Sequence, residues 1–434
     1  MPEPQGAADE VRSAVADAHR REWAFVLAAT VRVAGDLDLA EECVQDAYLA
    51  ALDAWTRQGV PNSPGAWLTT TARRRALDLY RRQQALRNKL PLLVEPEPSH
   101  GALDDELDSE FVGRFGDGGA IPDDRLRLVF TCCHPALGVE AQIALTLRLV
   151  CGLTTRQIAD AFLVSEATMA ARVTRAKKKI AAARIPYRVP ETNELPDRLR
   201  AVLSVVHLVY TTGHTDPTGA ELMQRELAQR AIDLARMLLK LMPDEREVRG
   251  LLALLLLTDA REKARTDAAG RLVLLEDQDR TLWNQEQIKE GSFLVTEALR
   301  GGQPGRYALQ AAIAALHSEA PTYSGTDWPQ IVRLYDVLMC VWPSSVVALN
   351  RAAACAMADG PEAGLAEIAE LERHLDDKRD TSLAGYRYLP AAKADLLRRL
   401  GRRDEAAQAY QEALALTEGA VEREFILRRL AGLG

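Results

Sequence analysis

The stretch "TTRQIADAFLVSEATMAARVTRAKKKI", residues 154–180, carries a dense run of positive charge in a chain whose net charge is −8. Met169, Val173, Ala176 and Ile180 recur at helical spacing, and Arg172, Arg175, Lys177, Lys178 and Lys179 fall between and after them. The pattern predicts a short helix with Ile158, Ala159 and Phe162 inward, a tight turn, and a longer helix with Ser165 as its N-cap. That is the layout of a helix-turn-helix, whose second helix enters the major groove of DNA. Residues near its start meet base edges and those further along meet phosphates. Ser165, Glu166, Thr168, Arg172 and Arg175 form the outward set; Glu166, Thr168 and Arg172 are the candidates for reading sequence. Arg175, Lys177 and Lys178 are the candidates for phosphate contact and counterion release. Met169 is assigned to the core. The competing reading is a basic amphipathic helix that solvates one face.

A second basic cluster, Arg73, Arg74, Arg75, Arg81, Arg82, Arg87 and Lys89, follows "PNSPGAW". Here a loop rich in Pro, Asn, Ser and Gly leads into a helix opening at Trp67, with Leu68, Ala72, Ala76 and Leu79 on one face. Only Asp78 offsets the positive charge of that helix. Upstream, "DLDLAEECVQDAYLAALDAW" shows Ala40, Val44, Ala47, Ala51 and Trp55 on an apolar stripe. Asp38, Glu41, Glu42, Gln45 and Asp46 run opposite it as an acidic stripe. Such a stripe suits docking on a basic or mixed protein surface; a solvated helix face is the alternative.

The elements that must position these residues are helices almost throughout. Ala, Leu, Arg and Glu dominate, and β-branched runs are scarce. Composition predicts disorder over 1–16, a helix from about Asp17 to Ala34 with Gly35 as its C-cap, and a next helix capped by Asp36 or Asp38. Residues 91–124 hold ten acids against one base, with prolines and five glycines, and read as an acidic flexible linker. Residues 125–190 hold 11 basic side chains against 3 acidic ones. One compact basic block in an acidic chain points to a local polyanion site.

The 434 residues exceed one ordinary core. The expected division is 17–90, a linker over 91–121, 122–186, and an all-helical 187–434. In the last part, "VVALNRAAACAMADGPEAGLAEIAEL" and "LPAAKADLLRRLGRRDEAAQAYQEAL" align Gly360 with Gly401, Ala366 with Ala407 and Ala369 with Tyr410. Small residues where two antiparallel helices cross, with a Gly turn between them, suggest a tetratricopeptide-type hairpin. The longest apolar run, residues 251–257, is far short of the ~20 needed to span a bilayer. With an acidic start lacking an apolar stretch, the expectation is a cytoplasmic protein that makes no membrane contact. Cys132, Cys133, His134 and Cys151 read as buried small side chains, not a metal site.

Taken in order, "GDLDLAEECVQDAYLAALDAW", "PNSPGAWLTTTARRRALDLYRR" and "LTLRLVCGLTTRQIADAFLVSEATMAARVTRAKKKI" resemble the sigma-70 family. More narrowly, they resemble the extracytoplasmic-function sigma factors of bacterial RNA polymerase. The first two segments look like region 2 and the third like region 4. The resemblance implies that Asp38, Glu41, Glu42, Gln45 and Asp46 dock on the clamp coiled coil of the polymerase's largest subunit, with the flap region as a second contact. It implies that the loop at Asn62 and Ser63 receives a flipped base. Arg73, Arg74, Asp78, Arg81 and Arg82 would meet the −10 element, and residues 165–178 the −35 element. The turn "FLV" departs from the family in lacking its usual glycine. The long C-terminal half resembles the subgroup with a fused tetratricopeptide-like domain, which implies modulation of activity or capture of a protein or peptide partner. No cofactor is implied.

Two rivals stand beside this reading. One is a helix-turn-helix repressor or activator with a helical sensor domain. The other is an enzyme in the C-terminal half, but that half has no phosphate-binding Gly loop followed by Lys-Ser or Lys-Thr, no HExxH and no GxSxG. His207, His214 and Asp216 are expected to be structural. "TDAAGRLVLLEDQDRTLW" reads as an irregular excursion between helices, without assigned chemistry.

Overall fold

In the computed structural model the described residues are 4–89, 124–162, 164–215, 221–267, 269–378, 383 and 385–433. The linker expected over 91–121 lies outside them, as do Asp216 and the side chain of His214. The chain divides into two compact units, Met1–Leu208 and Val209–Gly434. Among the described residues all regular structure is helical, apart from one isolated bridge between Thr266 and Leu272.

The first unit opens on α1 (Pro4–Ala34), α2 (Leu37–Gln58) and α3 (Pro64–Lys89). The disorder expected over 1–16 is corrected from Pro4 onward: the helix starts there, and Val11 and Ala18, seven residues apart, lie on its buried face. Gly35 ends α1 at φ +66°, its N–H bonded to the Val31 carbonyl at 2.8 Å, a left-handed cap that a Cβ would strain. Asp36 then caps α2, accepting from the Leu39 N–H at 2.8 Å. The third helix begins three residues before the expected Trp67. Pro64, with its fixed φ and missing N–H, suits a first helical position, and the Ser63 carbonyl accepts from the Trp67 N–H at 3.2 Å. Val33, Cys43 and Ala76 close the three-helix core at its α1–α2 turn.

Next come α4 (Asp124–Cys132), α5 (Val139–Leu145) with a π turn over Thr146–Val150, α6 (Thr155–Ala161) and α7 (Glu166–Ala182). Leu126, Leu128, Val129, Phe130, Leu145, Leu147 and Leu149 are fully buried. Each buried side chain of this size contributes about 1.5–3 kcal/mol by leaving water. Then α8 (Leu195–Thr215) begins in the first unit, and the division falls within it, past the boundary expected at 187. Its Arg198 guanidinium donates to the Phe130 carbonyl at 2.7 Å, which ties its first half to α4.

The second unit continues through α9 (Glu221–Leu241), α10 (Arg246–Asp259), α11 (Gln285–Leu299) and α12 (Arg306–Glu319). Helix α10 is apolar without a break from Gly250 to Leu257 and lies against α11 and α12. A Cβ on Gly250 would come within 2.5 Å of the Ala308 backbone, so glycine sets that close approach. The Glu247 carboxylate accepts from the Tyr307 and Ala308 N–H groups at 3.0 and 3.1 Å, capping α12 from a neighbouring helix. The chain ends in α13 (Trp328–Val341), α14 (Ser345–Ala358), α15 (Pro361–Lys378), α16 (Tyr388–Arg399), α17 (Arg403–Ala415) and α18 (Ala420–Ala431). The two aligned segments form the hairpins α14–α15 and α16–α17, with Gly360 and Gly401 turning at φ +101° and +74°. The crossing residues differ from the expected Ala366 and Ala369, which are exposed. Gly364 makes the first crossing: a Cβ there would lie 2.5 Å from that of Ala356, and Ile368, Leu371 and Leu375 extend the buried stripe. In the second hairpin Ala406, Ala409 and Tyr410 are buried.

Candidate nucleic-acid and polymerase interface

One short helix and two side-chain caps position α7, the helix expected to read DNA. Thr154 and Gln157 form a reciprocal capping box at the start of α6, and Ile158 and Ala159 seat it in the core. The Val164 N–H then bonds to the Ala159 carbonyl at 3.1 Å, which turns the chain toward α7. Ser165 caps α7 by accepting from the Thr168 N–H at 3.2 Å, and the two hydroxyls bond at 2.8 Å. Met169, Val173, Ala176 and Ile180 are buried, as their spacing requires. Ser165, Glu166, Thr168, Arg175 and Lys178 stand exposed on the opposite side. Arg172 is half-buried and pairs with Glu140 at 2.9 Å.

Lys177 departs from the rest of the basic set. Only 9% of its side chain is exposed, and its ammonium donates to Asp38 Oδ1 at 2.6 Å and Glu41 Oε2 at 2.7 Å. The expectation of a solvent-facing phosphate contact does not describe this conformation. A sequence signal was available: Lys177 lies four residues after Val173 and three before Ile180, within the buried stripe. Burial works against its charge, but Glu41 and Asp38 outweigh it and hold the ammonium above the usual lysine range. Glu41, itself 6% exposed, has its other oxygen paired with Arg148 from the π turn. A buried carboxylate with a cation on each oxygen is fully satisfied, yet the desolvation of all three charges offsets most of the attraction. Its consequence is a fixed geometry between α2 and α7.

Further contacts hold the same arrangement. The Trp23 indole donates to the Leu149 carbonyl at 3.1 Å, and the Tyr187 hydroxyl to the Ala28 and Asp124 carbonyls at 3.0 and 3.3 Å. Gly152, at φ +72°, passes so close to Trp23 that a Cβ would be 3.0 Å from the ring. A cleft of about 390 Å³ remains between the α1–α2 turn and the end of α7, lined among others by Asp36, Asp38, Lys178, Arg184 and Tyr187.

The acidic stripe is thus split. Asp38 and Glu41 are engaged, while Glu42 and Gln45 remain exposed, with Gln45 also donating to Glu41 at 3.4 Å. Half-buried Asp46 pairs with Arg75 at 3.1 Å. On α3, Leu68, Ala72 and Ala76 are buried, and Arg73, Arg74, Asp78, Arg81 and Arg82 are exposed together on the outer side. Asn62 and Ser63 are exposed just before that helix, where Trp55 and Trp67 meet edge to face at 5.8 Å. Cys132 and Cys133 are buried, and burial pushes the Cys133 thiol up to about 12. Among the described residues no group of three His, Cys, Asp or Glu side chains is placed to hold a metal ion, and no helix is long and apolar enough to cross a membrane.

Comparison with known proteins agrees with this geometry. Residues 15–86 match Sigma-70 region 2, and residues 127–180 match Sigma-70 region 4. Residues 198–299 match a family of unknown function (DUF6596). An uncharacterized protein of Rhizobium meliloti (strain 1021) is 45% identical over 404 residues, covering 93% of this chain and 92% of its own length. No solved structure matches. Region 2 contributes an open basic helix and an acidic one, region 4 contributes a helix-turn-helix, and a further helical domain follows. The chain belongs to the sigma-70 family, whose members bind core RNA polymerase and promoter DNA to start transcription.

Proposed function

We propose that the chain is an extracytoplasmic-function sigma factor whose closed form covers part of its own polymerase-docking surface. In this reading Asp38, Glu41, Glu42, Gln45 and Asp46 dock on the clamp coiled coil. Ser165, Glu166, Thr168 and Arg172 read the −35 element, with Arg175, Lys177 and Lys178 on its phosphates. Asn62 and Ser63 hold the base extruded from the −10 element, where pocket contacts offset a few kcal/mol of lost stacking, while Arg73, Arg74, Asp78, Arg81 and Arg82 hold the strand. The chain acts in the cytoplasm by binding, without catalysis of its own. The C-terminal domain, tetratricopeptide-like in its hairpins, tunes that binding or takes a protein or peptide partner at high effective concentration.

The observation that carries this reading is Lys177, on the reading helix, bonded to Asp38 and Glu41 on the docking helix. Both predicted tasks need those side chains, so α7 must leave α2 before either is performed. Polymerase and promoter then select the opened form, each by its differential affinity for it. The test is transcription from genomic fragments by bacterial core polymerase, with the full chain and with Arg73→Ala/Arg74→Ala. Transcripts from a shared two-part motif, lost in the double variant, are expected. Absence of transcripts, with tight retention of one duplex by the chain alone, overturns the reading in favour of a repressor.

A further inference from the structure

The excursion between α10 and α11 carries chemistry that promoter recognition does not use. It leaves α10 at Arg261, folds back through the Thr266–Leu272 bridge, and returns by a turn over Arg280–Leu282. The Asn284 N–H closes it on the Ala260 carbonyl at 2.8 Å. Arg280 lies over Trp283, Arg261 comes near Arg280, and His317 of α12 faces both arginines. The Arg280 guanidinium lies 4.3 Å from the Trp283 ring centroid, and its Nη1 donates to the His317 and Ala320 carbonyls at 2.8 Å each.

Four polar atoms in this cluster are buried without a hydrogen-bond partner: Arg261 Nε, Arg280 Nη2, Trp283 Nε1 and His317 Nδ1. Three are obligate N–H donors, and His317 Nδ1 is one in the matching tautomer. Among the described residues neither Arg261 nor Arg280 is paired with a carboxylate. Burial pushes the Arg261 guanidinium down to about 10, and Arg265 and Arg280 push the same way against the Tyr210 phenol. Burial, with Arg261 and Arg280 nearby, also lowers His317 to about 4. Arg261, Arg280 and His317 are half-buried as whole residues, but the four named atoms are enclosed, and orphaned buried donors in a native protein call for an explanation such as a bound ion.

We infer that this cluster is a binding site for a small oxyanion, a phosphate or carboxylate group held by Arg261 and Arg280 with Trp283 and His317 as neutral donors. Two guanidinium groups match the planar or tetrahedral oxygen geometry of such a ligand. The orphan atoms lie below the surface, which suits a small ion or metabolite head group and not a long acidic segment. Arg280 is already fixed by two carbonyls and the Trp283 face, so little side-chain entropy is lost on binding.

The site is tested on the full-length chain by titration calorimetry and thermal unfolding at fixed ionic strength. Inorganic phosphate, glycerol 3-phosphate and succinate are compared with chloride, and the tightest binder identifies the head group. One saturable site per chain is expected, with the unfolding midpoint raised by about 3 °C at saturating ligand. Arg261→Gln and Arg280→Gln should each weaken binding about tenfold or more, while the exposed Arg271→Gln should not. Arg280→Lys, which keeps the charge, guards against simple misfolding: native circular dichroism with binding intermediate between the parent and Arg280→Gln supports the site. Equal midpoints in all four salts with no saturable heat overturn it. So does undiminished binding by folded Arg261→Gln and Arg280→Gln chains.

Discussion

The two units bury charge in opposite ways. In the first, Glu41 and Asp38 face Lys177 and Arg148, and two carboxylates balance two cations. In the second, Arg261 and Arg280 lie beside a neutral His317, with four polar atoms of the cluster unpartnered. A balanced cluster fixes the arrangement of the elements that carry it. An unbalanced one leaves an interaction for something outside the chain. In the proposed reading the first is a latch between α2 and α7, and the second a receptor for an anion.

The largest expected effect breaks the balanced cluster. Glu41→Ala leaves Arg148 and Lys177 in a buried setting with only Asp38 nearby, and should destabilise the first unit by about 3–5 kcal/mol in denaturant unfolding. A loss below about 1 kcal/mol would show that solvent reaches the latch freely.

The unbalanced cluster should respond to acid. The pKa of His317 falls from an ordinary value near 6.5 to about 4 on folding, so the unfolded chain binds more protons between those values. Its contribution is present above pH 6.5 and is lost as the pH falls toward 4. Unfolding midpoints of the parent and His317→Gln should differ in slope across that window. Parallel profiles would mean that His317 is not buried neutral.

Opening the latch without stranding a charge gives a smaller change. Lys177→Met keeps the stem's packing and leaves Glu41 paired with Arg148, so stability should fall by about 1–2 kcal/mol. Affinity for core polymerase, read from fluorescence of a labelled chain, should rise severalfold because less of the population is closed. Unchanged or weaker binding would sink the latch as a barrier to docking. The latch should also persist through alkaline conditions, since a raised lysine loses its proton only above the ordinary lysine range.

The smallest effect on stability belongs to the open basic helix. Arg73→Ala should stay within about 0.5 kcal/mol of the parent. Its promoter complex should lose roughly one unit from the salt dependence of binding. A large stability loss there would place Arg73 in a structural role instead.

Much of the fold was legible because its signals are local. Gly35, Asp36 and Ser165 mark helix ends through their own backbone and capping chemistry, and the stripe from Met169 to Ile180 states which side of α7 faces inward. Pro64 reads as a loop residue in the sequence, whereas its fixed φ and missing N–H suit the first turn in which α3 begins. Residues 4–16 read as disordered by composition but are helical, because Val11 and Ala18 pack inward, which composition does not register. Residue size points to Ala366 and Ala369 as crossing residues of the first hairpin, whereas helix rotation puts Gly364 at the contact.

By itself the sequence determined the helices, their caps, the helix-turn-helix and the basic face of α3, because each depends on neighbours within a few positions. Only the tertiary structure decided that Lys177 would meet Glu41, 136 positions away, and that Arg261 and Arg280 would come close to His317. Charge is a property of a residue type, but its pairing depends on which distant element arrives beside it and how much water is excluded there. That is why seven basic residues of α3 and its end read alike with those of α7, yet one lysine of α7 became a latch.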